Sequence, residues 1–120
     1  MPTVYSTDIS RELYTRERCH IVEILNHNNC ENLSIARARV EPGVTTEWHR
    51  LDVDEEYYIL AGQGRMELNG VHETVKPGDV VHLAAGIPQC ITNTGSTDLL
   101  FLCICTPRFL TSSYRSCPPL

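Results

Sequence analysis

Apolar residues along this chain come in short runs that alternate with polar ones, and turn residues interrupt every run. The runs CHIVEIL (19–25), LSIARARV (33–40), YYIL (57–60), RMEL (65–68), VHETV (71–75), DVVHL (79–83), QCITN (89–93) and DLLFLCIC (98–105) each read as a strand. Between them stand Pro42-Gly43, Gly62-Gln63-Gly64, Asn69-Gly70, Pro77-Gly78, Ala85-Gly86-Ile87-Pro88 and Thr94-Gly95-Ser96. No stretch carries a long amphipathic helix. Such spacing predicts an all-β sandwich or small barrel. Tight loops such as Asn69-Gly70 make the neighbours antiparallel, since parallel strands need long crossovers.

The two ends are less patterned. Residues 1–19 are polar without a period, and RELYTRER (11–18) suits a short helix, a mobile arm or an added edge strand equally. The tail after Thr106 is rich in Pro and Ser and reads as lying along the outside or partly mobile. With no repeat and no boundary, residues 1–120 form one expected domain, with a core of roughly 33–107 and arms at 1–19 and 107–120.

Strand parity sorts the chemically capable side chains. Glu47, His49 and Leu51 share one face, and Glu55, Tyr57 and Ile59 share another. His49 and Glu55 meet only if the acidic corner between them (Asp52, Asp54, Glu55, Glu56) folds one strand back towards the other. Cys103 and Cys105 also share a face, as do Arg37 and Arg39. Trp48 points away from His49, towards packing or a subunit surface.

Two stretches carry a family resemblance. Gly43, His49, Glu55 and Gly62 fall on the spacing of the first cupin motif, with Leu51 where that motif has a second histidine. Gly78, Gly86 and Asn93 fall on the second motif, with Ala84 in place of its proline and Gln89 in place of its histidine. The chain therefore resembles the small single-domain cupins over roughly residues 33–107. The resemblance implies an antiparallel cupin-type β-barrel (a double-stranded β-helix, or jelly roll), a homodimer, and a small-molecule pocket with a degenerate metal site.

In the family three imidazoles and one carboxylate hold a divalent ion. Here the implied set is His49, Glu55 and Gln89, with Cys103 as an added ligand if its strand face points inward. Zinc, iron, manganese or nickel would suit such donors and be weakly held, because an amide oxygen is a poor substitute for imidazole. The competing reading makes the thiols core fillers and His49 a hydrogen-bonded pocket residue. Leu51, Tyr57, Gln89, Ile91 and Cys105 are the expected substrate contacts. His82 reads as an ordinary strand histidine or an alternative ligand, and His20, His27 and His72 as exposed. A carboxylate aimed into an apolar barrel must be paired, metal-bound or protonated, which singles out Glu55.

Two functions follow. One is an isomerase, cyclase or lyase acting on a small sugar-like or polyketide-like substrate, with His49 and Glu55 as its acid and base or as holders of a metal. The other is a non-catalytic module that binds or senses a small ligand without a firmly held metal.

Composition narrows the partners. A hydrophobic fraction of 42% suits a folded unit. The net charge of -5, without a Lys/Arg cluster, disfavours nucleic acid and anionic membranes. The longest apolar run, Leu99 to Cys105, is too short to span a bilayer. Charges throughout residues 1–18 do not fit a secretory signal. The six cysteines then read as free thiols of a cytoplasmic protein rather than a disulfide framework.

Overall fold

The structure, a computed structural model, describes residues 3–118, so residues 1–2 and 119–120 of the two expected arms lie outside it. In chain order the strands are β1 (Leu13–Tyr14), β2 (His20–Leu25), β3 (Ser34–Val40), β4 (His49–Leu51), β5 (Asp54–Ala61), β6 (Gly64–Leu68), β7 (Val71–Val75), β8 (Val80–Leu83), β9 (Gln89–Asn93), β10 (Leu99–Thr106) and β11 (Tyr114–Ser116). Every recorded pairing is antiparallel. One sheet has the order β1-β2-β3-β10-β5-β8 and the other β11-β4-β9-β6-β7. Together they form the antiparallel barrel that the alternating pattern predicts.

The core lies between the sheets. Val40, Ile59, Met66, Ile91, Leu99 and Phe101 are at most 2% exposed. Each such side chain contributes about 1.5–3 kcal/mol by leaving water. Parity explains the selection: in β10, Leu99, Phe101 and Cys105 are buried while Leu100 and Leu102 are only half-buried.

Turn chemistry fixes the register. Asn69 and Gly70 both take positive φ, 46° and 88°, as a two-residue hairpin between β6 and β7 requires. Gly62, with φ at 86°, ends β5, and a Cβ there would sit 2.7 Å from the Asp98 carbonyl oxygen. Only glycine fits that close approach.

The terminal segments join the sheets. Ile9–Arg11 form one turn of 3-10 helix capped by the Asp8 carboxylate, and Leu13–Tyr14 then add the edge strand β1. Of the three alternatives open for RELYTRER, a short turn plus an edge strand is the one adopted. Glu12 anchors the segment through Arg37 and Arg39, at 3.1 and 2.7 Å, which is where the paired arginines of β3 are spent. At the other end β11 pairs with β4, placing Tyr114 opposite Leu51 and Ser116 opposite His49. All six cysteines are free. No helix among the described residues is long and apolar enough to cross a membrane.

Candidate functional site

The acidic corner carries the chain from one sheet to the other. β4 belongs to the five-stranded sheet and β5 to the six-stranded one, so His49 and Glu55 reach one interior cavity from facing walls. Arg115 clamps the corner through Asp52 at 2.8 Å, and Asp54 accepts from the Ala85 amide at 2.9 Å. The cavity has a volume of about 80 Å³. His49 and Glu55 are 2% and 6% exposed.

A hydrogen-bond chain across the two sheets holds Glu55. The Tyr57 hydroxyl donates to Gln89 Oε1 at 2.9 Å, and Gln89 Nε2 donates to Glu55 Oε1 at 3.0 Å. Cys105 Sγ reaches Glu55 Oε2 at 3.7 Å, because β10 sets Cys105 opposite Glu55 in register. Burial pushes the Glu55 carboxyl up to about 8, against the hydrogen bond from Gln89, which favours the ionised form. Burial also pushes the Tyr57 hydroxyl and the Cys103 and Cys105 thiols far up, and Glu55 adds to each of these shifts. The thiols of this wall are therefore neutral near pH 7.

His49 is held differently. Its Nδ1 lies 2.6 Å from the Glu47 carbonyl oxygen, so that nitrogen carries the proton and Nε2 is free to act as acceptor in the neutral ring. Tyr114 stacks on the imidazole with centroids 5.0 Å apart and planes 15° off parallel. The Tyr114 hydroxyl donates to the Glu47 carboxylate at 2.5 Å, and Arg16 lies over the outer face of the ring at 5.2 Å. Nε2 looks towards Glu17 Oε2 at 3.8 Å, too long for a direct hydrogen bond. Burial raises the Glu17 carboxyl, with His49 opposing the shift.

Glu17 and Tyr114 are among the cavity residues that strand alternation does not reveal. Glu17 is aimed inward by the tight turn at Thr15–Cys19, where Arg18 has φ at 66° and Thr15 bonds the Cys19 carbonyl. The sole signal in the sequence is that this polar turn directly precedes a strand.

The expected site residues separate into groups. Glu55, Tyr57, Gln89 and Cys105 come together in one hydrogen-bonded set, with Gln89, 1% exposed, behind the cavity wall rather than on it. His49, Leu51 and Cys103 line the cavity without joining that set. No hydrogen bond or ion pair is recorded between His49 and Glu55; the carboxylate facing His49 is Glu17. Ile91, expected to meet substrate, is fully buried in the core and does not line the cavity. Among the described histidines, His82 is exposed and bonds Glu56 at 2.6 Å on the outside of the barrel.

The proposed ligands His49, Glu55, Gln89 and Cys103 do not fit a metal ion. Among the described residues no three His, Cys, Asp or Glu side chains converge closely enough to hold one. Leu51 offers no donor, and both ends of the Gln89 amide are engaged, by Tyr57 and by Glu55. The thiol that reaches Glu55 is Cys105, not Cys103, and no cation lies beside it to favour a thiolate.

Comparison with known proteins agrees with this architecture. The family described as Cupin domain matches residues 36–105. Over 70 residues the chain is 40% identical to an oxalate-binding protein from Thermotoga maritima, and the match spans 58% of each chain. It is 35% identical over 98 residues to an uncharacterized protein from Methanocaldococcus jannaschii, covering 79% of this chain and 78% of that one. Among solved structures, a predicted oxalate decarboxylase from Thermotoga maritima superposes with a TM-score of 0.68 at 32% identity, covering 74% of this chain and 80% of that one. With its sheets, motif glycines and interior cavity in that arrangement, the chain belongs to the cupin family.

Proposed function

We propose that this cupin binds a small molecule in the barrel cavity without a tightly held metal ion. One observation carries the reading: the Tyr57–Gln89–Glu55 hydrogen-bond chain uses both ends of the amide that stands at a ligand position of the family's second motif. Breaking that chain to free a neutral amide oxygen for a metal would leave the Tyr57 hydroxyl and Glu55 short of partners in a buried place, at about 1–3 kcal/mol each.

Metal analysis of protein purified without chelator or affinity tag tests this. The expected content is well below one divalent ion per chain. Any rise in melting temperature with oxalate, which the Thermotoga maritima relative is named for binding, should be the same with and without added manganese. One firmly held ion per chain, or an oxalate shift that needs manganese, contradicts the reading.

A second reading retains acid–base catalysis of isomerisation, cyclisation or elimination but exchanges the two expected roles, with His49 as the base and Glu55 as the acid. It is favoured by the free Nε2 of His49 and the carboxyl of Glu55 lining the same cavity. A proton acceptor and a proton-bearing carboxyl on facing walls are the minimum such a reaction needs.

A further inference from the structure

The charge inventory of the cavity is one-sided. Three carboxyl groups, those of Glu17, Glu23 and Glu55, line it beside the single imidazole of His49, and among the described residues no lysine or arginine lines it. Arg16, next to Glu17 in sequence, is largely exposed and caps the outer face of Tyr114 instead. Aromatic rings supply much of the remaining wall: Tyr57, Phe101, Phe109 and Tyr114.

Glu55 also has acceptor capacity to spare. Burial favours the protonated form of this carboxyl, a cation beside it favours the ionised form, and an ionised carboxylate accepts about four hydrogen bonds. Its Oε1 receives one from Gln89, while Oε2 has only a thiol, a weak donor, at 3.7 Å. This oxygen belongs to a residue 6% exposed that lines the cavity, so the donors it lacks must come from whatever enters.

An anion in this space would meet carboxyl groups at low dielectric without a permanent positive charge to receive it. A cation would meet carboxyl groups and a wall rich in aromatic side chains, two environments that suit it better than an anion. We propose that the cavity selects a small organic cation, an amine or methylated ammonium compound. The proposal rests on the ligand-binding reading above and adds the sign of the ligand's charge. The bound ammonium supplies the counter-charge that the protein itself withholds from Glu17 and Glu55. Glu23, Glu17 and Tyr114 also line the wider groove outside, where Arg11 and Arg16 join them, so the one-sided charge belongs to the cavity rather than to its entrance.

Isothermal titration with methylammonium, choline, the uncharged choline isostere 3,3-dimethylbutan-1-ol, and acetate tests the proposal. At least one of the two cations should bind more tightly than acetate, and wherever choline binds it should bind about tenfold or more tightly than its isostere. Glu55→Gln and Glu17→Gln, which keep side-chain shape, should each remove most of that preference. Glu56→Gln, on the outside of the barrel, should leave it intact, and circular dichroism checks that each variant is folded. Equal binding of choline and its isostere overturns the cation preference while sparing the ligand-binding reading. Tighter binding of acetate than of either cation does the same. Failure of all four probes to bind overturns the cation proposal and removes support from the reading beneath it.

Discussion

The two walls of the cavity are built by different means. Glu55 is held by Gln89, itself held by Tyr57, and by Cys105, all three on the paired strands β9, β5 and β10 and all at most 5% exposed. His49 is held by a backbone carbonyl and a ring from the C-terminal segment, and the carboxyl it faces, Glu17 of the N-terminal turn, keeps 18% of its side chain accessible. The Glu55 wall inherits its geometry from the eight-residue ladders of β5 and β10. The mouth depends on β1 and β11, of two and three residues. Short strands with few buried contacts open locally at low cost, whereas long central ones open only with the whole fold. The molecule thus pairs a fixed floor with an entrance that can give way.

Three perturbations break or sharpen this contrast. The largest is pH. An unfolded Glu55 titrates near 4.5, while burial raises it to about 8 in the folded state. Between those values the native state binds more protons than the unfolded one, so stability is fully present below about 4.5 and is lost as pH rises towards 8. Burial raises Glu17 as well, which adds a change of the same sign. Urea denaturation across pH 5 to 8.5 should show this decline, and Glu55→Gln should flatten most of it. A parent protein whose stability rises over that window would contradict the buried, uncompensated carboxyl.

Next comes the hydrogen-bond chain. Gln89→Leu leaves the Tyr57 hydroxyl and Glu55 without their buried partner and should cost about 3 kcal/mol in denaturant unfolding. The smallest effect belongs to the mouth. Tyr114→Leu removes the stack on His49 and the bond to Glu47, and should cost about 1 kcal/mol. Hydrogen exchange should quicken at residues 49–51 and 114–116 in that variant while staying slow at 55–59. Equal quickening on both walls would show that floor and mouth are one unit.

Much of the floor is legible in the sequence, and little of the mouth. Alternation places Glu55 with Tyr57 and His49 with Leu51, and the turn residues around them set where the strands begin and end. Parity gives the face of Cys103 and Cys105 but not their register against β5, so it does not say that Cys105 is the thiol beside Glu55. Ile91 is buried inside the barrel, as a substrate contact would be, yet the interior divides into core and cavity, a partition that only packing decides. Gln89 stands at a family ligand position, but its two partners lie 32 and 34 residues away, beyond any local pattern. Glu17 and Tyr114 sit in segments with no hydrophobic period at all. Their placement comes from a left-handed Arg18 and from the pairing of β11 with β4.

The central claim is that the Glu55–Gln89 chain and Leu51 stand where metal ligands would have to converge. Calorimetric titration of manganese and zinc into the parent and into the double variant Leu51→His, Gln89→His addresses it directly. The parent should show no saturable binding at micromolar metal. The variant, which gains two imidazoles beside His49 and Glu55, should bind at least about a hundredfold more tightly, since each imidazole replaces a weak or absent donor. A parent that takes up one ion per chain as tightly as the variant would contradict the account.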